Sequence, residues 1–168
     1  MNVEEHGHEI VVGIDASAAA RAALRWAAAQ ARLTGAPLRV VHAWQMTAAQ
    51  VESATPAFWE TSVADARARA TRWVHDALGA DAVALHWVLD VAEGPAGSVL
   101  VQRSRTASAV VVGTGEHSGL RRVVSGSVSH YVLSHALPPV VAVRPDPVQD
   151  GPRLVTAAAD PARRPRTP

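Results

Sequence analysis

Apolar residues in this chain come in short β-branched runs, separated by longer stretches in which they recur every three or four positions. That alternation is what buried strands and amphipathic helices leave in a sequence. The first run, residues 9–14 (Glu-Ile-Val-Val-Gly-Ile), has the unbroken apolar character of a strand covered on both faces. It gives way to Asp15-Ala-Ser17, and Ser17 suits the N-cap of an Ala-rich helix that reaches about Thr34, where Gly35 and Pro37 end it. Ala20, Leu24, Ala27 and Ala31 line one side of this helix, and Arg21, Arg25 and Arg32 share another that is expected in solvent. Residues 38–44 predict a second strand, and the polar, Ala-rich residues 45–55 a long loop. Pro56, with Thr55 as cap, starts a helix ending near Gly79 whose inner side carries Ala66, Ala70, Trp73, Ala77 and Leu78. Residues 83–91 predict a third strand, a helix follows from about Ala96 to Arg105, and residues 109–112 form a fourth strand. A further helix runs from about Ser127 to Ala136, and Pro138-Pro139 breaks the chain before a fifth strand at residues 140–144. Residues 1–8 read as a flexible N-terminus, 9–145 as one domain, and 146–168, rich in Pro, Ala and Arg without periodicity, as a disordered tail.

Strands alternating with helices predict an α/β fold: an open five-stranded parallel sheet with helices on both faces. Right-handed crossovers make 3-2-1-4-5 the most economical strand order, so strands one and four meet at the switch point. Ligands in such sheets bind outside the carboxyl ends of the flanking strands, which here places residues 13–17 opposite residues 113–129. The second of these loops closes on Gly126-Ser127-Val128-Ser129 at a helix start. Main-chain N–H groups and hydroxyls in that setting can hold phosphate without a charged side chain. A strand, a loop and a capped helix with nothing bound would look the same in isolation. Asp15 in the facing loop, a carboxylate suited to sugar or base, favours the ligand.

Composition removes several chemistries. With no cysteine, disulfides, thiolate metal sites and thiol redox are excluded, and with every basic residue an arginine there is no Schiff-base or P-loop lysine. The eight histidines never show His-Glu-x-x-His spacing, which argues against a metal site, and His42 reads as a packed histidine. Ser125-Gly-Ser127-Val-Ser129 is not a nucleophile elbow, and Gly113-Thr-Gly115-Glu-His-Ser118 fails the dinucleotide fingerprint at its last position. A formal net charge of +1 provides no field for nucleic acid or anionic lipid, and no apolar run approaches membrane-spanning length, so a cytoplasmic protein is expected.

Val11-Val12-Gly13-Ile14-Asp15-Ala16-Ser17, Val40-Val41-His42-Ala43-Trp44, Val110-Val111-Val112-Gly113-Thr114, Gly126-Ser127-Val128-Ser129 and Pro138-Pro139-Val140-Val141-Ala142-Val143-Arg144-Pro145 appear in an order that resembles a universal stress protein domain. The resemblance covers about residues 9–144. It implies a Rossmann-like sheet of the adenine nucleotide alpha hydrolase-like kind, ATP, with or without Mg²⁺, as ligand, and a homodimer through the last strand, here Val140, Val141, Ala142 and Val143. Gly13 and Asp15 would then meet the adenosine end, the main chain of Ala43 would flank the adenine, and Val112 and Gly113 would line base and ribose. Gly126, Ser127, Val128 and Ser129 would hold the phosphates.

One position departs from the family pattern of Gly, two residues, Gly, nine residues, then Gly-Ser or Gly-Thr. Its second glycine falls at residue 116, where this chain has Glu116, with glycines instead at 115 and 119. A carboxylate ~5 Å from one phosphate charge costs on the order of 3 kcal/mol at an effective dielectric of about 20. That would weaken a triphosphate roughly a hundredfold, unless Glu116 turns to solvent or shares a Mg²⁺ with the phosphates. Three roles follow from the sequence: a dimeric nucleotide-binding sensor or regulator, a structural or interaction protein that has lost the nucleotide, and, with least support, an ATPase for which only Glu116 could serve as a general base.

Overall fold

Val11 and Val12 are both fully buried, yet they enter different hydrophobic clusters on opposite sides of one sheet. The computed structural model describes residues 8–115 and 127–146. Its elements are β1 (Ile10–Gly13), α1 (Ala18–Thr34), β2 (Leu38–Trp44), α2 (Ala48–Ser53), α3 (Pro56–Leu78), α4 (Asp81–Ala84), β3 (Trp87–Glu93), α5 (Ala96–Arg103), β4 (Ala109–Gly113), α6 (Ser127–His135) and β5 (Val140–Val143). The five strands run parallel in the order β3-β2-β1-β4-β5, as the alternation of strands and helices predicts. Residues 1–7 and 147–168, most of the predicted N-terminal arm and tail, lie outside the described residues, as do Glu116 and Gly126.

On one face α1 and α3 cover Ile10, Val12, Val40 and Val111 with Leu24, Ala27, Ala70 and Val74. On the other, α5 and α6 cover Val11, Val41, Val110 and Val112 with Val99, Leu100 and Val132. Each fully buried valine or leucine contributes about 1.5–3 kcal/mol, so β1 and β4, apolar on both faces, anchor the sheet. β2 carries Arg39 among these apolar residues. Its guanidinium lies 2.9 Å from Glu9 and 3.4 Å from Asp90, and Arg103 of α5 reaches the same Asp90 oxygen at 2.8 Å. The charge is thus paired where an isolated one would be costly.

Local signals set the helix ends. Ser17 accepts from the Ala20 N–H at 3.0 Å and Gly35 closes α1 with φ +70°, a conformation that suits glycine. Thr55 caps α3 through the Phe58 N–H, with Pro56 in its first turn. Arg25, expected in solvent, is half-buried on α1; desolvation and then the nearby Arg21 lower its pKa.

Two expectations are corrected. Residues 45–55 are not wholly loop, because Thr47 and Gln50 form a capping box that opens α2. The third strand does not begin at residue 83: Asp81–Ala84 is one helical turn that buries Ala82 and leaves Val83 exposed, and the strand starts at Trp87. The Trp87 indole N–H donates to the Ala82 carbonyl at 2.8 Å and ties turn and strand together.

Gly113 is where α1 and β4 come closest. A Cβ there would fall on the carbonyl of Ala19 and 2.7 Å from the Ala20 nitrogen, both of them main-chain atoms. Gly113→Ala is therefore expected to lower folding stability by about 1–3 kcal/mol, read as a lower urea midpoint with an unchanged slope.

Candidate functional site

Because β1 and β4 are neighbours, the turns that leave Gly13 and Gly113 open a crevice between them. A pocket of about 150 Å³ occupies it, a size that takes up a single aromatic ring when closed. Of the residues singled out in the sequence, Gly13, Asp15, Ala43, Val112, Gly113 and Val128 line this pocket. Ser127 is exposed at the start of α6 and Ser129 is 1% exposed, and neither belongs to the lining. Ile14, Ser17, Ala20, Val41, Ala96 and Leu100 also line it, although the sequence did not single them out as ligand residues. Ala96 and Leu100 are four apart on α5 and so share a face. That spacing was the only sign of them, since nothing local says which strands α5 crosses.

Three helices present their N-terminal turns to this space. Ser17 is the N-cap of α1, Ala96 the first residue of α5 and Val128 the second of α6. None of these helices has an acidic residue in its first turn, and Pro95 gives α5 no side-chain cap. At α1 the Ser17 hydroxyl already accepts from the Ala20 N–H, while the aligned peptide dipoles of α5 and α6 make their part of the pocket electropositive. Asp15 supplies the opposite sign. It is exposed, and its Oδ1 accepts from the Ser17 N–H at 2.8 Å, an Asx turn that fixes the carboxylate beside the pocket. An anionic group by α5 and α6 and a hydroxyl-bearing group by Asp15 can therefore be held by different parts of one lining.

Both wall glycines have a packing reason as well. A Cβ on Gly13 would sit 2.9 Å from the Leu100 Cδ1, a side-chain end that can shift, whereas one on Gly113 would strike the main chain of α1.

Behind the pocket stands His42, 7% exposed, with its Nδ1 3.1 Å from the Ile14 carbonyl and its ring edge-on to Trp73 at 5.2 Å between centroids. A carbonyl only accepts, so Nδ1 carries the hydrogen. Burial lowers the His42 pKa from its ordinary value of 6.5; the Ile14 carbonyl and Asp15 oppose that shift, and Arg69 of α3 adds to it. Among the described residues no cluster of His, Cys, Asp and Glu could hold a metal ion, and no helix is long and apolar enough to cross a membrane.

A crevice at the switch point of a 3-2-1-4-5 sheet, bordered by an acidic turn and by helix N-termini, is where a doubly wound α/β domain offers a ligand site. The universal stress protein family matches residues 7–144, and the chain belongs to that family. A universal stress protein of Mycolicibacterium smegmatis is 34% identical over 146 residues, covering 82% of this chain and 48% of that protein. The chain thus spans about half the length of this curated relative. Among solved structures, a universal stress protein in complex with cAMP has a TM-score of 0.63 at 20% identity, covering 83% of this chain and 98% of its own. One from Archaeoglobus fulgidus in complex with dAMP has 0.54 at 23%, covering 80% and 96%. A family member from Arabidopsis thaliana with AMP bound has 0.57 at 16%, covering 84% and 94%.

The depressed pKa of His42 has a consequence for stability. Between its folded value and 6.5 the unfolded chain binds the extra proton and the folded chain does not, so stability falls as pH falls through this window. Thermal midpoints taken between pH 7.5 and 5 are expected to decline, and His42→Asn, which has nothing to titrate, should flatten the decline.

Proposed function

We propose that this chain binds an adenine nucleotide in the pocket between β1 and β4 and acts through that binding as a cytoplasmic sensor or regulator. The observation that carries the reading is the convergence of Asp15 with the N-termini of α1, α5 and α6 on one pocket. In the proposed pose Asp15 accepts from the ribose, Ala43 and Val112 flank the base, and the phosphates lie toward the start of α6 at Ser127 and Val128, with the buried Ser129 outside their reach. The cAMP, dAMP and AMP named for the similar structures support adenine as the base. ATP is the ligand that the family's glycine motif implies, and residue 116 bears on it most directly.

Calorimetric titration with AMP, ATP and MgATP tests the assignment. Wild type should bind AMP saturably. Asp15→Ala should weaken all three ligands by roughly tenfold, the loss of one or two hydrogen bonds to a charged group. Glu116→Gly should tighten ATP more than AMP, because repulsion grows with the charge brought near a carboxylate. No saturable binding in wild type would leave the interaction-protein reading in its place, and unchanged affinity in Asp15→Ala would place the site elsewhere.

The proposed working unit is a homodimer paired through β5. That strand ends the sheet order, with Val140, Val141 and Val143 half-buried and Ala142 exposed, and its outer edge offers main-chain donors and acceptors to a second copy. Pro139 and Pro145 bracket the strand and favour a closed two-fold pair over open-ended addition. Sedimentation at micromolar concentration is expected to give a dimer for wild type and a monomer for Val141→Pro; a wild-type monomer would refute the pairing.

A further inference from the structure

Ile14 follows the last residue of β1 and is 4% exposed, and β2 holds both of its main-chain polar groups. Its N–H donates to the Val41 carbonyl at 2.9 Å, and its carbonyl accepts from the imidazole Nδ1 of His42 at 3.1 Å. The next residue is Asp15. A donor on the side chain of one strand thus bonds the chain where it leaves the neighbouring one, one residue before Asp15. Trp73, reaching in from α3, meets the imidazole at 85° and limits its rotation. His42 is not part of the pocket lining, although its strand neighbours Val41 and Ala43 are; its imidazole reaches toward the pocket through the Ile14 carbonyl and the turn that follows.

We propose that His42 is a positioning residue for the nucleotide pocket: by donating to the Ile14 carbonyl it sets the turn that presents the Asp15 carboxylate. This inference rests on the nucleotide-binding reading above. Without that bond the Ile14 carbonyl lies buried with no donor, and the turn moves to find water. The Asx hydrogen bond from Ser17 N–H to Asp15 would move with it.

Three substitutions and two readouts test the proposal. His42→Leu removes the donor. His42→Asn keeps an N–H the same number of bonds from Cβ as Nδ1, and His42→Gln carries it one bond too far. Calorimetry with AMP is expected to show His42→Leu and His42→Gln weakened by about tenfold, as for loss of a buried hydrogen bond, and His42→Asn restored to within about threefold of wild type. In an Asp15→Ala background His42→Leu should cost nothing further, because its effect runs through Asp15. Amide hydrogen exchange at Ser17 should be faster in His42→Leu and His42→Gln than in wild type or His42→Asn, with or without ligand. Should His42→Leu fail to fold, His42→Gln against His42→Asn makes the same comparison. Unchanged Ser17 exchange would overturn the proposal whatever the ligand data say. An AMP penalty of the same size with and without Asp15 would overturn it too. If wild type binds no AMP, the functional reading fails by itself, and Ser17 exchange alone decides whether His42 sets the turn.

Discussion

The main-chain contact between the first turn of α1 and the last residue of β4 is the constraint on which the rest of this structure depends. With no side chain at Gly113, Ala19 and Ala20 lie directly against the strand end. The remainder of the helix can then follow because its inner surface is mostly alanine, Ala20, Ala23, Ala27 and Ala31 with Leu24 the one larger side chain, which keeps helix and sheet in close contact. One wall of the pocket is made by the same approach: Ser17 and Ala20 stand across from Val112 and Gly113 because nothing larger than a hydrogen separates the two elements.

The order at the front of the pocket has a different origin. Ile14, Asp15 and Ser17 are held by directional bonds from Val41, His42 and their own neighbours. Hydrogen bonds specify an angle as well as a distance, so a turn held in this way can keep an exposed carboxylate in place without bulky groups that would fill the space a ligand needs.

Much of this was legible in the sequence, and each exception has its own physical cause. The second strand runs over residues 38–44 as read, the caps at Ser17, Gly35 and Thr55 stand where their side-chain chemistry predicts, and the strand order follows from connection length and handedness. Each of those depends on local chemistry or on a general rule of chain crossing. α2 was missed although Thr47 and Gln50 spell a capping box, because α2 buries no residue and so leaves no apolar period. Val83 resembled a strand residue because β-branching is a propensity, and the helical turn that buries Ala82 overrides it. The rotation of α6, which turns Val128 to the pocket and buries Ser129, is set by packing on α5 and the sheet; a string of small residues does not encode it. Ala96 and Leu100 enter the site by way of a crossover helix, a relation between segments far apart in the chain.

The packing of Gly13 against Leu100 and of Gly113 against α1 bears on what glycine signatures mean in folds of this kind. At Gly113 the clash is with main chain, so the demand for glycine there is set by the fold before a ligand adds any of its own. A descendant that abandoned its small molecule would still be held to Gly113 by the architecture alone, whereas at Gly13 only the flexible end of Leu100 stands in the way. As a diagnostic mark Gly113 therefore reports ancestry and shape. Evidence that a given chain has kept its ligand has to be sought at residues that no main-chain clash dictates, of which Asp15, exposed beside the pocket, is one in this molecule.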